Sequence, residues 1–137
     1  MTSYPENYDP VWEKYQAKGF DALSELEQLI FCIWWLEGEV NNGGFHQFFL
    51  NSWGDYCLET LSALEKIGAD KTKELLERAC NVAFNGLPPG DRDQRLDVLD
   101  GLSESVLEEL YSLDKKFYDY EDNIEELVNR YLDAKGT

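Results

Sequence analysis

The chain is 137 residues long and carries 28 Asp and Glu against 12 Lys and Arg, a net charge of −16. That length supports one domain, and with Leu, Ile, Val and Phe at about a quarter of its residues the chain has a core and is no acidic solvating tail. A charge of this sign repels phosphate backbones and anionic membranes, which leaves cations and basic proteins as what it attracts.

The segment Met1-Thr2-Ser3-Tyr4-Pro5-Glu6 has no basic start and no apolar stretch, so no signal peptide is expected and the protein is read as cytoplasmic. Asp9-Pro10 reads as the start of the first helix, an N-cap followed by proline at the first helical position. Val11, Trp12 and Tyr15 follow, and Gly19 ends the segment. Ser24-x-x-Glu27 is a capping box. After it, Leu26, Leu29, Ile30, Ile33, Leu36 and Val40 form a helical stripe. Phe31, Cys32, Trp34 and Trp35 occupy the other sides, the pattern of a helix buried by neighbours all round. Its longest apolar run, 29–36, falls far short of the about 20 residues that a bilayer needs.

Asn41-Asn42-Gly43-Gly44 interrupts that pattern, because Asn and Gly tolerate the left-handed conformation. Phe45, Phe48 and Phe49 then mark a short aromatic helix face. Gly54 and Asp55 open another helix with Cys57, Leu58, Leu61, Leu64 and Ile67 inward, closed by Gly68. Asp70 caps the next, which shows Leu75, Leu76, Ala79, Val82 and Ala83. The stretch 85–90 is a loop, since its prolines and glycines forbid regular structure. Asp91-x-x-Gln94 opens a short helix with Leu96 and Leu99, closed by Gly101. Ser103 caps a longer one bearing Val106, Leu110, Leu113 and Phe117. Asp122-x-x-Glu125 opens the last, with Ile124, Leu127, Val128, Tyr131 and Leu132. No strand-like alternation appears. The expectation is a single all-α domain over residues 1–137, about seven helices around a buried central one.

The charge is unevenly placed. Residues 1–60 carry net −8, residues 61–90 are neutral, and residues 91–137 carry net −8. In the last block Asp93, Asp97, Asp100, Glu104 and Glu108 recur at spacings of 4, 3, 4 and 4, and Glu121–Glu125 and Asp122–Glu126 are like-charge pairs. Within a helix each such pair costs roughly 0.2–0.5 kcal/mol, and its members stand roughly 5–6 Å apart. That is loosely comparable to the phosphate spacing of a duplex strand. Two readings follow: these acids form a partner-binding surface that resembles a row of phosphates, or they are a solvated face that confers solubility.

Cys32, Cys57 and Cys80 are odd in number and sit in apolar helical patterns, so they read as reduced core residues. His46 is the only histidine. Glu37 and Glu39 lie across the turn from it, but no second histidine stands at metal-ligand spacing. The acidic stretch 119–126 lacks the glycine and register of a calcium loop. No nucleophile elbow and no phosphate-cradling glycine loop are present. No catalytic residue, metal ligand or cofactor is therefore assigned. Gln47 and Asn51 lie four apart, away from the three phenylalanines, and read as ties from the Asn-Gly turn to neighbouring backbone groups. Holding a ligand amide is the alternative.

The segment Glu39-Val40-Asn41-Asn42-Gly43-Gly44-Phe45-His46-Gln47-Phe48-Phe49-Leu50-Asn51-Ser52 resembles the signature of the DNA mimic protein 19-like family of small acidic bacterial helical domains. Its core is Asn42, Gly43, Gly44, Phe45, Gln47, Phe48, Phe49 and Asn51. The likeness continues through Ile67-Gly68-Ala69, Leu113-Asp114 and Phe117-Tyr118, and covers roughly residues 20–135. The resemblance implies an all-α fold, a structural role for the motif, and imitation of duplex DNA. In that mode the protein blocks a transcriptional regulator by occupying its DNA-binding surface, from a homodimer. The expectation is a non-enzymatic acidic inhibitor of a basic DNA-binding protein, with no direct nucleic-acid or membrane partner. An immunity-type inhibitor of a toxic nuclease stays open beside it. So do a helical domain with only a structural or interaction role, and a small enzyme or metal protein using His46 and Glu39.

Overall fold

A computed structural model describes residues 4–136. Residues 1–3, where the segment read as lacking a leader begins, and Thr137 lie outside the described residues. Among the described residues there are seven α-helices and no strand: α1 (Tyr4–Lys18), α2 (Glu25–Leu50), α3 (Cys57–Ile67), α4 (Asp70–Phe84), α5 (Arg92–Asp100), α6 (Glu104–Tyr118) and α7 (Ile124–Ala134). Short 3-10 turns at Phe20–Ala22 and Ser52–Tyr56 join the first three.

Helix α2 is the centre, as its all-round apolar middle requires. Helices α1, α3, α5 and α6 pack on it, α4 packs on α3 and α6, and α7 closes against α1 and α3. Phe31, Ile33, Leu36 and Val40 are fully buried. The Ser24 capping box forms in both directions: Ser24 Oγ accepts the Glu27 N–H at 3.1 Å, and Glu27 Oε1 accepts the Ser24 N–H at 2.8 Å. Ser103 caps α6 through the Val106 N–H, and Asp91 caps α5 through the Asp93 N–H.

Several local signals yield to packing. Helix α1 does not start at Asp9-Pro10; Pro10 stands inside it. A mid-helix proline deprives the carbonyl four residues back of its donor. That carbonyl belongs to Glu6, and both residues are exposed, where water can serve it. Tyr4, Tyr8 and Val11 meanwhile bury one face at i, i+4 and i+7. Helix α3 begins at Cys57, after the 3-10 turn. Leu58 does not point inward but is 60% exposed, and Thr60 and Ala63 take the inner positions. Asp70 is the first residue of α4 and caps nothing. Asn123, not Asp122, caps α7, accepting the Glu126 N–H at 3.2 Å.

The three cysteines are free and buried. Burial pushes the Cys32 thiol up to about 12, which leaves it inert in the core. No helix among the described residues is long and apolar enough to cross a membrane.

Candidate functional site

The Asn-Gly motif is a break in α2. Gly43 has φ −151° and ψ 16°, and Gly44 has φ 81° and ψ −178°. The Gly44 φ lies in the region that L side chains avoid, and a Cβ there would run into the Asp114 carboxylate. Asp114 uses that space: its Oδ1 accepts the Phe45 N–H at 2.8 Å. A carboxylate from α6 thereby caps the restarted helix in place of a local N-cap. Burial raises the Asp114 pKa, while the Phe45 N–H and the nearby His46 pull it down. Glu39 is buried on the other side of the break. Its Oε2 accepts Gln47 Nε2 at 2.9 Å and Asn51 Nδ2 at 2.7 Å, and Asn42 Nδ2 donates to Gln47 Oε1 at 3.2 Å. The ties of Gln47 and Asn51 thus run to a side-chain carboxylate and not to backbone groups. Both amides take the same Glu39 oxygen, Oε2. Among the described residues no group of three or more His, Cys, Asp or Glu is placed to hold a metal ion.

Helix α5 is fastened by Arg95, which is 0% exposed. Its Nε donates to the Phe49 carbonyl at 2.7 Å, its Nη1 to those of Pro89 and Gly90 at 3.0 Å, and its Nη2 to that of Asn51 at 3.0 Å. Nη2 also stands 2.7 Å from Asp55 Oδ1. Arg92 Nε donates to the Leu50 carbonyl at 2.8 Å. Two cations therefore meet the carbonyl end of α2, where the helix dipole is negative. With Arg95 and Leu99 held inward, Asp93, Asp97 and Asp100 lie on the exposed side of α5.

The nine acids singled out from spacing do not form one helical row. Gly101, Leu102 and Ser103 separate α5 from α6, so Asp100 and Glu104 are not one turn apart on a helix. Glu104 and Glu108 begin a new exposed row on α6. Glu121 and Asp122 precede α7, so their pairings with Glu125 and Glu126 are not intrahelical either. Asp122 has a job inside the fold: its Oδ2 accepts the Thr72 N–H at 2.7 Å and the Thr72 O–H at 3.0 Å, capping α4 from a distance. Glu121 stands 3.6 Å from Lys71, and Glu126 pairs with Arg130. Asp93, Asp97, Asp100, Glu104, Glu108 and Glu125 are exposed and make no ion pair among the described residues.

The two acidic blocks come together where α1 packs on α7. The Tyr4 N–H donates to Asn129 Oδ1 at 2.6 Å. Opposite Tyr4, Tyr8 and Val11, helix α1 presents Glu6, Asp9 and Glu13, all exposed. In the same seam, Glu37 of α2 accepts the Tyr4 O–H at 2.8 Å and the Tyr120 O–H at 2.9 Å. Burial raises the Glu37 pKa; the two phenols lower it, and the charge of Glu125 raises it again.

The family described as DMP19-like protein matches residues 21–135, most of the chain. The chain belongs to the DMP19-like family. No curated protein and no solved structure matches it. The DMP19-like match covers the motif break, Arg95 and the acids of α5, α6 and α7, and it begins after α1. Glu6, Asp9, Glu13 and the Tyr4 side of the seam therefore lie outside the matched region.

Some of these residues left a trace in the sequence. Arg95 stands four before Leu99, on the core stripe of a short helix, and a cation there implies buried acceptors. Asp114 sits between Leu113 and Phe117 on the inner face of α6 in the same way. Glu37 and the α1 acids carry no such signal, because their meeting depends on how α1, α2 and α7 pack.

Proposed function

We propose that this DMP19-like protein is a non-enzymatic acidic binder that imitates duplex DNA in the cytoplasm. It occupies the DNA-binding surface of a basic DNA-binding protein such as a transcriptional regulator. The observation that supports this reading best is the set Asp93, Asp97, Asp100, Glu104, Glu108 and Glu125, exposed on helices and without an ion-pair partner among the described residues. A carboxylate with no partner in its own chain keeps its field available to an incoming cation. Arg95 fastens α5 and Asp114 ties α6 to α2, so the charges on those two helices are preorganised and little ordering entropy is lost on binding. A homodimer is the oligomer implied by the family resemblance.

Affinity capture tests the proposal. The immobilised protein is exposed to cytosol from its native host, washed at low salt and eluted at high salt. A DNA-binding protein is the expected eluate, and capture of a nuclease instead points to an immunity-type inhibitor. Reversal of Glu104, Glu108, Glu125 and Glu126 to Lys is expected to abolish capture with circular dichroism unchanged. Capture that survives the reversal assigns the interaction to another surface.

A further inference from the structure

The seam between α1, α2 and α7 forms an open surface cavity of about 330 Å³, whose lining includes Tyr4, Trp34, Glu37, Asn41 and Glu125. It lies at the small end of ligand pockets, which run about 300–1,000 Å³. Aromatic and anionic groups share its walls. Glu37 is mostly withdrawn from water, and among the described residues its oxygens meet neutral phenols. No ion pair among the described residues includes it. Phenol donors soften the cost of that burial but leave the charge uncompensated. Glu125, exposed and equally without a cation, adds a second negative charge close enough to act on Glu37. Asn41 gives its Nδ2 to the Tyr120 oxygen at 2.9 Å, which leaves its amide oxygen as an acceptor. Trp34 adds an indole, the aromatic ring that attracts cations best. Its ring is stacked on Tyr8 at 4.1 Å, so the wall it forms is rigid.

An apolar wall beside two carboxylates matches a side chain with an apolar stem and a cationic head. A guanidinium fits better than an ammonium, because it stacks on aromatic rings and forks to carboxylates. We propose that this cavity receives one arginine side chain of the protein partner, with the guanidinium at Glu37 and Glu125 and the stem against Trp34. The inference rests on the reading of the partner as a basic protein, and it names one contact that such a partner makes. Tyr4 lies outside the matched family region, so the complete cavity depends on a part of this chain that the match does not reach.

A small probe tests the cavity without the partner. The full chain, labelled with ¹⁵N, is titrated with Nα-acetyl-arginine methylamide and separately with the citrulline analogue, which has the same shape and no charge. The Trp34 indole N–H resonance is the readout. A saturable shift is expected with the arginine probe, and binding about tenfold weaker with the citrulline probe, as loss of a charge-assisted bond implies. Glu37→Gln and Glu125→Gln are each expected to weaken the arginine probe several-fold. Glu125→Gln alters an exposed group, so it decides the matter if Glu37→Gln disturbs the fold. Glu109→Gln removes the same charge from an exposed position on α6 outside the proposed binding set and is expected to change nothing at Trp34. Equal binding of both probes, no saturable shift at Trp34, or an effect of Glu109→Gln equal to that of Glu125→Gln overturns the proposal. Salt-sensitive partner binding without arginine-probe binding sinks the cavity and leaves the acidic-surface reading standing. Probe binding with no basic partner captured does the reverse.

Discussion

Arg95 holds the carbonyl end of α2, the loop before α5 and Asp55 in one set of bonds. Arg95→Met keeps much of the volume but strands those acceptors. Loss of one partner of a buried pair costs about 3–5 kcal/mol, and Asp55, 40% exposed at its side chain, can turn to water and soften that loss. Urea unfolding is expected to show a loss toward the lower end of that range, with Arg95→Lys recovering only part because it lacks the fork. Asp114→Ala leaves the Phe45 N–H without its acceptor, a loss of about 1–3 kcal/mol. Gly44→Ala forces a positive φ on alanine and drives a Cβ at the same carboxylate. The two changes act on one contact, so the double variant is expected to lose less than the sum. Glu37 gives a pH signature. Its folded pKa is raised above 4.5, so between those values the folded state keeps a proton that the unfolded chain has released. Stability therefore falls as pH rises through that window. The difference in melting temperature between wild type and Glu37→Gln is expected to change across the window and to level off above it. A constant difference contradicts this account of Glu37.

Among the elements, what depends on neighbours in sequence was legible and what depends on neighbours in space was not. The Ser24 and Ser103 caps, the Gly68 stop and the α2 stripe stand where their spacing puts them, because each is satisfied within a turn or two. The Gly43-Gly44 break was legible for the same reason. Its purpose was not, since Asp114 reaches it from 69 residues away in sequence. The Asp9-Pro10 start failed because burial of Tyr4, Tyr8 and Val11 outweighs one missing bond on a wet face. Asp122 looked like a cap for its own helix and caps α4 instead. Asp122→Ala is therefore expected to cost about 1 kcal/mol, the usual worth of an N-cap, and to speed hydrogen exchange at the Thr72 amide. Unchanged exchange at Thr72 would remove that role.

For the whole molecule, −16 is a property of arrangement as much as of sum. The terminal blocks of −8 are brought into contact by the packing of α1 on α7, which no spacing in the sequence displays. The acids of α5 and α6 ride on helices that both pack against α2 and α4. Such a surface repels itself. Raising salt from about 50 to about 300 mM screens that repulsion, so the melting temperature of the free protein is expected to rise. Over the same range partner affinity is expected to fall, because the attraction is screened equally. Mimicry of DNA requires competition with DNA for the partner. A fluorescent duplex bound to the captured partner is titrated with this protein at low salt, and complexes are followed by anisotropy and sedimentation. Displacement of the duplex is expected as the protein binds, with the effect lost in the Glu104, Glu108, Glu125 and Glu126 to Lys variant. A ternary complex of partner, duplex and protein would contradict it.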